Sequence, residues 1–123
     1  MPEFVYTRHA DGVHEFVLEA SGKEVVDDFY DQIEVILEHH PPDEPLLLYV
    51  DASKAGYMPF EKAAGRQDRI RERYHKPIYG KLAVLHENEL LNHMIETWIE
   101  ALEMRLEYAI FNDPNDATNW LLE

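Results

Sequence analysis

An apolar run of strand length, Leu46-Leu47-Leu48-Tyr49-Val50, stops on Asp51-Ala52-Ser53. Behind it lies the proline-rich loop Pro41-Pro42-Asp43-Glu44-Pro45, and ahead of it the turn-forming stretch Lys54-Ala55-Gly56-Tyr57-Met58-Pro59. Continuous apolar character over so few residues, bounded by turn formers, suits a strand covered on both faces. Such strands belong to α/β sheets, where helices occupy the faces and functional groups collect at the carboxyl ends of the strands. Asp51 and Ser53 mark that end here and are candidate binding residues.

The segments on either side fit the same architecture. Residues Phe4 to Ala20 read as a β-hairpin turning on Asp11-Gly12, a two-residue turn signal. That turn places His9 opposite His14, Thr7 opposite Phe16 and Val5 opposite Leu18, on a face expected to point inward. It also places Arg8 opposite Glu15 as a favourable cross-strand pair. Ser21 and Glu24 form a capping box for a helix on which Val26, Phe29, Ile33 and Ile36 or Leu37 recur at helical spacing. His39-His40 close that helix.

Beyond the central strand, Pro59 suits the first position of a helix running from about Phe60 to Tyr74. Phe60, Ala63, Ala64, Gln67, Ile70 and Tyr74 make its core face. Lys62, Arg66, Arg69 and Arg73 form a second stripe, and Glu61, Asp68 and Glu72 a third. Lys81 to Leu85 is another buried strand. Asn88 caps a helix with the apolar stripe Leu91, Ile95, Trp98 and Leu102. Leu106 to Phe111 is the last strand, and Asp113-Pro114 starts a closing helix bearing Ala117, Trp120 and Leu121. The order ββαβαβαβα predicts an α/β fold, a mixed β-sheet with helices packed over it, as one domain over residues 1–123.

Acidic residues outnumber basic ones 25 to 11, a formal charge of −14. A surface of that sign repels phosphate backbones and anionic bilayers, so neither nucleic acid nor membrane is an expected partner. No apolar segment reaches the roughly 18 residues of a membrane helix. The N-terminus lacks the basic and apolar blocks of a signal peptide, so a cytoplasmic location is expected. The chain has no cysteine, which excludes disulfides and thiolate chemistry.

Catalytic patterns are thin. Ser53 has Asp51 nearby but no histidine placed as a base, so the pair is expected to bond the turn that follows. The seven histidines include two sets of near neighbours, His9 with His14 and His86 with His93. Two histidines fall short of the three protein ligands of a catalytic zinc site, so no metal is expected. Without a phosphate loop, a dinucleotide fingerprint or a nucleophile motif, the chain is expected to be no enzyme and to use no cofactor.

The arginines are the sharper feature, because four of six lie between Arg66 and Arg73. Two readings stand. The stripe pairs with acids of a neighbouring helix, such as Glu100, Glu103 or Glu107, or it docks an acidic protein segment or an anionic ligand. The candidate binding residues are therefore Arg66, Arg69, Arg73, Lys62, Asp51, Ser53 and Tyr57.

The segments LLLYVDAS, GKLAVLHE and YAIFNDPNDATNWLLE, taken in this element order, resemble STAS-type domains of the SpoIIAA-like group, named after the anti-sigma-factor antagonist. The resemblance extends over nearly the whole chain. It implies a small interaction or ligand-sensing module without catalysis, working with a protein partner or with a second copy of itself. In the phospho-regulated antagonists a serine following an aspartate begins the helix after the central strand. Here Gly56-Tyr57-Met58-Pro59-Phe60-Glu61 offers only the tyrosine hydroxyl, and Ser53 lies upstream, so the serine phospho-switch is not expected. The alternative is a small-molecule sensor. Its apolar pocket would lie between the two middle helices, lined by Tyr57, Met58, Phe60, Met94 and Trp98. Related folds suggest a lipid-like ligand there.

Overall fold

The computed structural model describes residues 4–19, 23–41, 43–53, 60–73, 79–86 and 105–123. Their elements run β1 (Phe4–Arg8), β2 (His14–Leu18), α1 (Lys23–His39), β3 (Leu46–Asp51), α2 (Phe60–Arg73), β4 (Tyr79–Leu85), β5 (Arg105–Phe111) and α3 (Pro114–Leu121). The strands form one mixed sheet in the order β1-β2-β3-β4-β5. The β1–β2 pair is antiparallel, and the pairs β2–β3, β3–β4 and β4–β5 are parallel. The helix expected from Asn88 falls outside the described residues.

β3 is central and buried on both faces, the reason its sequence is apolar without alternation. Leu46, Leu48 and Val50 pack with Phe16, Leu82 and Val84 beneath α1 residues Val25, Val26, Phe29 and Ile33 and α2 residue Ile70. Tyr49 points the other way, where it joins Ala83, Leu85, Ala117 and Leu121 under α3. Asp113 caps α3, its Oδ1 accepting the Asn115 amide at 2.8 Å, with Pro114 at the helix start as its fixed φ favours. Gly80 lies opposite Leu46 with φ 148°, and a methyl group added there would fall on the Leu46 backbone. Glycine is thus what lets β4 begin against β3.

The hairpin differs from the sequence expectation by one residue. Its loop is Ala10-Asp11-Gly12 rather than Asp11-Gly12 alone. Gly12 N–H donates to His9 O at 3.0 Å, and His9 N–H donates to Val13 O at 2.9 Å. Gly12 takes φ 92°, and Asp11 Oδ1 accepts the Val13 amide at 3.1 Å. Three-residue loops of this kind, a turn followed by a left-handed residue, are the usual alternative to two-residue ones. The extra loop residue shifts the register, so Tyr6 pairs with Phe16 and Arg8 with His14. The expected pairings of His9 with His14, Thr7 with Phe16, Val5 with Leu18 and Arg8 with Glu15 are therefore corrected. A shift of one residue turns a strand over. Tyr6 packs on the core while Val5 is 42% exposed. The inward face of β2, His14, Phe16 and Leu18, is as expected.

Candidate functional site

α1 turns one apolar stripe to the sheet and carries acids beside it. Asp27, Asp31, Glu34 and Glu38 recur at spacings of four, three and four, which stacks them along one side of the helix. α2 lies alongside, anchored by Ile70, which is 2% exposed. Arginines three and four apart on α2 meet the acids in sequence. Arg66 Nη1 donates to Asp27 Oδ1 at 3.2 Å, and Nη2 donates to Asp31 Oδ1 at 2.6 Å and to Glu34 Oε2 at 3.1 Å. Arg69 Nε lies 3.6 Å from Glu34 Oε1, and Arg73 Nη2 donates to Glu38 Oε1 at 2.8 Å.

The three arginines are unequal. The Arg66 side chain is 14% exposed, its guanidinium also lying 5.9 Å from the centre of the Tyr30 ring. Burial works against its charge. The hydrogen bonds and fields of Asp31, Asp27 and Glu34 outweigh that, so its pKa ends above the ordinary arginine value. Glu34 is itself buried, and a carboxylate there requires the cation beside it. Arg69 and Arg73 remain 62% and 51% exposed. Among the described residues, the acids facing this stripe thus come from α1. Of the acids expected to pair with it, Glu107 is exposed on β5 and Glu100 and Glu103 lie outside the described residues. Sequence reasoning missed the α1 partners, although their four-three-four spacing complements that of the arginines.

The strand-end candidates form a separate locus. Asp51 Oδ1 accepts both the Ser53 amide, at 3.0 Å, and the Ser53 hydroxyl, at 2.6 Å, a closed Asx turn. Asp51 aligns with Leu85 and Phe111 on the α3 side of the sheet, whereas α2 covers the other side. Asp51 and Ser53 are therefore not joined to the arginines. Tyr49, beside them, has its pKa pushed up to about 12 by burial, reinforced by Asp51, Glu15 and Asp113. Lys62 lies on α2, but its side chain is outside the described set, as are Tyr57, Met58, Met94 and Trp98 and the side chain of Phe60. The pocket expected between the middle helices thus falls outside the described residues. Among the described residues no group of three histidines or carboxylates is placed to hold a metal ion. None of their helices is long and apolar enough to cross a membrane.

Two layers of helix on a mixed sheet, opened by an antiparallel hairpin and closed by a short capped helix, can be compared with solved structures. An uncharacterized protein of the DUF3478 family from Shewanella loihica PV-4, described as having a SpoIIAA-like fold, superposes with a TM-score of 0.63. The match covers 96% of this chain and 91% of that one, at 18% sequence identity. The chain has a SpoIIAA-like fold. Neither a family model nor a curated protein sequence matches it. At that identity the likeness extends to the SpoIIAA-like architecture alone, and the charge ladder between α1 and α2 is described from this chain's own residues.

Proposed function

We propose that this SpoIIAA-like domain is a non-catalytic interaction module that docks an acidic segment of a partner protein along the outer rim of α2. The observation that carries the reading is the division of labour within the stripe. Arg66 is held by three carboxylates and fixes α2 in place, while the side chains of Arg69 and Arg73 stay more than half exposed. Arginine suits such a role, because its planar fork can serve one carboxylate on α1 and a second from outside. The pre-ordered helix also reduces the entropy lost on docking.

The test is affinity purification from the native host of the wild-type protein and of an Arg69→Gln/Arg73→Gln variant. Glutamine is chosen because glutamate at either position would meet Glu34 or Glu38 and disturb the helix pair. The expected result is a protein partner recovered in stoichiometric amount with the wild type and lost with the variant, whose folded circular dichroism spectrum is retained. Equal recovery by both proteins contradicts the docking role.

A further inference from the structure

β1 ends the sheet at one edge, and among the described residues no strand pairs with its outer side. The phase of the hairpin ladder fixes which backbone groups lie there. His9 N–H donates to Val13 O at 2.9 Å, and from that point bonded and open pairs alternate along the antiparallel ladder. The register opposes Thr7 to Glu15 and Val5 to Val17, so these are the bonded pairs. Phe4, Tyr6 and Arg8 therefore turn their N–H and C=O groups outward, in a row centred on Tyr6.

This edge suits a strand of its own kind. Proteins ordinarily blunt an open edge with lysine, acids, proline or a bulge. β1 reads FVYTR, its single charge stands at the strand end, and its register with β2 runs without a bulge. No acid falls between Phe4 and His9, whereas Arg8 and His9 are both basic types. Salt screens exposed charges beyond about 10 Å, so this local sign counts for more than the net charge of −14 when two copies meet here. β5, at the other edge, carries the exposed Glu107, which two copies joined there would bring towards each other. β1 also leaves apolar surface open. Val5 is 42% exposed on one face, and on the other the half-buried Tyr6 ring extends the aromatic packing that begins at Phe16, 5.1 Å away.

We propose that β1 pairs antiparallel with β1 of a second copy about a twofold axis at Tyr6, joining the two sheets into one. In that register Tyr6 exchanges both backbone hydrogen bonds with Tyr6 of the second copy. Phe4 and Arg8 exchange theirs at either end, so every outward group of the strand is satisfied. On the α1 side an aromatic row runs from Phe16 and Tyr6 to Tyr6 and Phe16 of the second copy. On the other face Val5 meets Thr7 of the second copy, a close pair of β-branched side chains. The Arg8 residues of the two copies stand about 14 Å apart by strand rise, too far to repel strongly. The contact is one strand wide, short of the about 1,000 Å² of a stable interface, so the dimer is weak and depends on concentration. It shares no residue with the α2 rim and stands or falls without it.

The experiment combines sedimentation velocity with disulfide mapping of the intact protein, which has no cysteine of its own. The expected result for the wild type is a shift from monomer towards dimer between about 10 and about 500 μM. Arg8→Pro removes an outward N–H and spares the bonds to β2, a placement that edge strands tolerate. It weakens association roughly tenfold or more, with the folded circular dichroism spectrum retained. Val5→Cys and Thr7→Cys are then oxidised separately and as an equimolar mixture. In the proposed register these two positions face each other with Cα atoms about 4.5 Å apart, within disulfide reach. Like positions lie diagonally, about 8 Å apart and outside it. The mixture is expected to yield several-fold more disulfide dimer than either variant alone. A wild type that stays monomeric at every concentration overturns the proposal and leaves the edge to a strand of another protein. A dimer unaltered by Arg8→Pro, or no excess of disulfide in the mixture, overturns it equally.

Discussion

Arg66 Nη2 donates to Glu34 Oε2 at 3.1 Å, tying α2 to α1 across 32 positions of sequence. Glu34 is 10% exposed at its side chain and Arg66 14%, so this pair is the most sheltered part of the ladder. Removing the cation leaves three carboxylates close together, one of them buried. Hydrogen bonds to charged groups contribute about 1.5–3 kcal/mol each when little exposed, and exposed pairs about 0–1 kcal/mol.

Arg66→Gln is therefore expected to lower stability by about 2–3 kcal/mol, read from urea unfolding midpoints. Arg69→Gln and Arg73→Gln are each expected to cost less than about 1 kcal/mol. Arg66→Lys should recover only part of the loss, because one ammonium cannot replace a fork that serves three acids. Equal costs at all three positions would show that the ladder is uniform rather than centred on Arg66.

The ladder shows how far sequence could go. Helical periodicity placed Arg66, Arg69 and Arg73 on one side of their helix, and the structure agrees. Periodicity says nothing about which helix abuts that side, so Asp27, Asp31, Glu34 and Glu38 were passed over for acids nearer the C-terminus. β3 was legible because burial on both faces leaves no polar position between Leu46 and Val50. The hairpin was legible as a hairpin but not in register, because Asp11-Gly12 fits a two-residue loop and a three-residue loop equally well. Asp51 and Ser53 were legible as turn formers. Their separation from the arginines was not, since it depends on which face each helix covers.

The hairpin register has a mutational signature. Tyr6→Ala removes a ring that packs on Phe16, with centroids 5.1 Å apart, and should cost about 2–4 kcal/mol. Val5→Thr changes an exposed position and should stay within about 0.5 kcal/mol. The two-residue turn requires the reverse order, so comparing the two unfolding midpoints decides between the registers.

His14 makes stability depend on acid. Its folded pKa lies below the unfolded value near 6.5, because burial and then Arg8 and His40 disfavour the charged ring. Above 6.5 both states are neutral at this residue and it adds no pH dependence. As pH falls below 6.5 the unfolded chain takes up a proton that the folded one refuses, so stability drops until the folded pKa is reached. Urea midpoints measured in chloride from about pH 7.5 downward should fall more steeply for the wild type than for His14→Gln. Parallel curves would remove His14 as the cause.

The docking role of α2 is tested most directly by photo-crosslinking in the native host. A photoreactive residue replaces Glu72, which is exposed on α2 between Arg69 and Arg73. The expected result is a discrete adduct with one protein whose crosslinked peptide is rich in Asp and Glu, lost when Arg69→Gln and Arg73→Gln are added. An adduct that persists unchanged without the two arginines, or a crosslinked peptide without acidic residues, would contradict it.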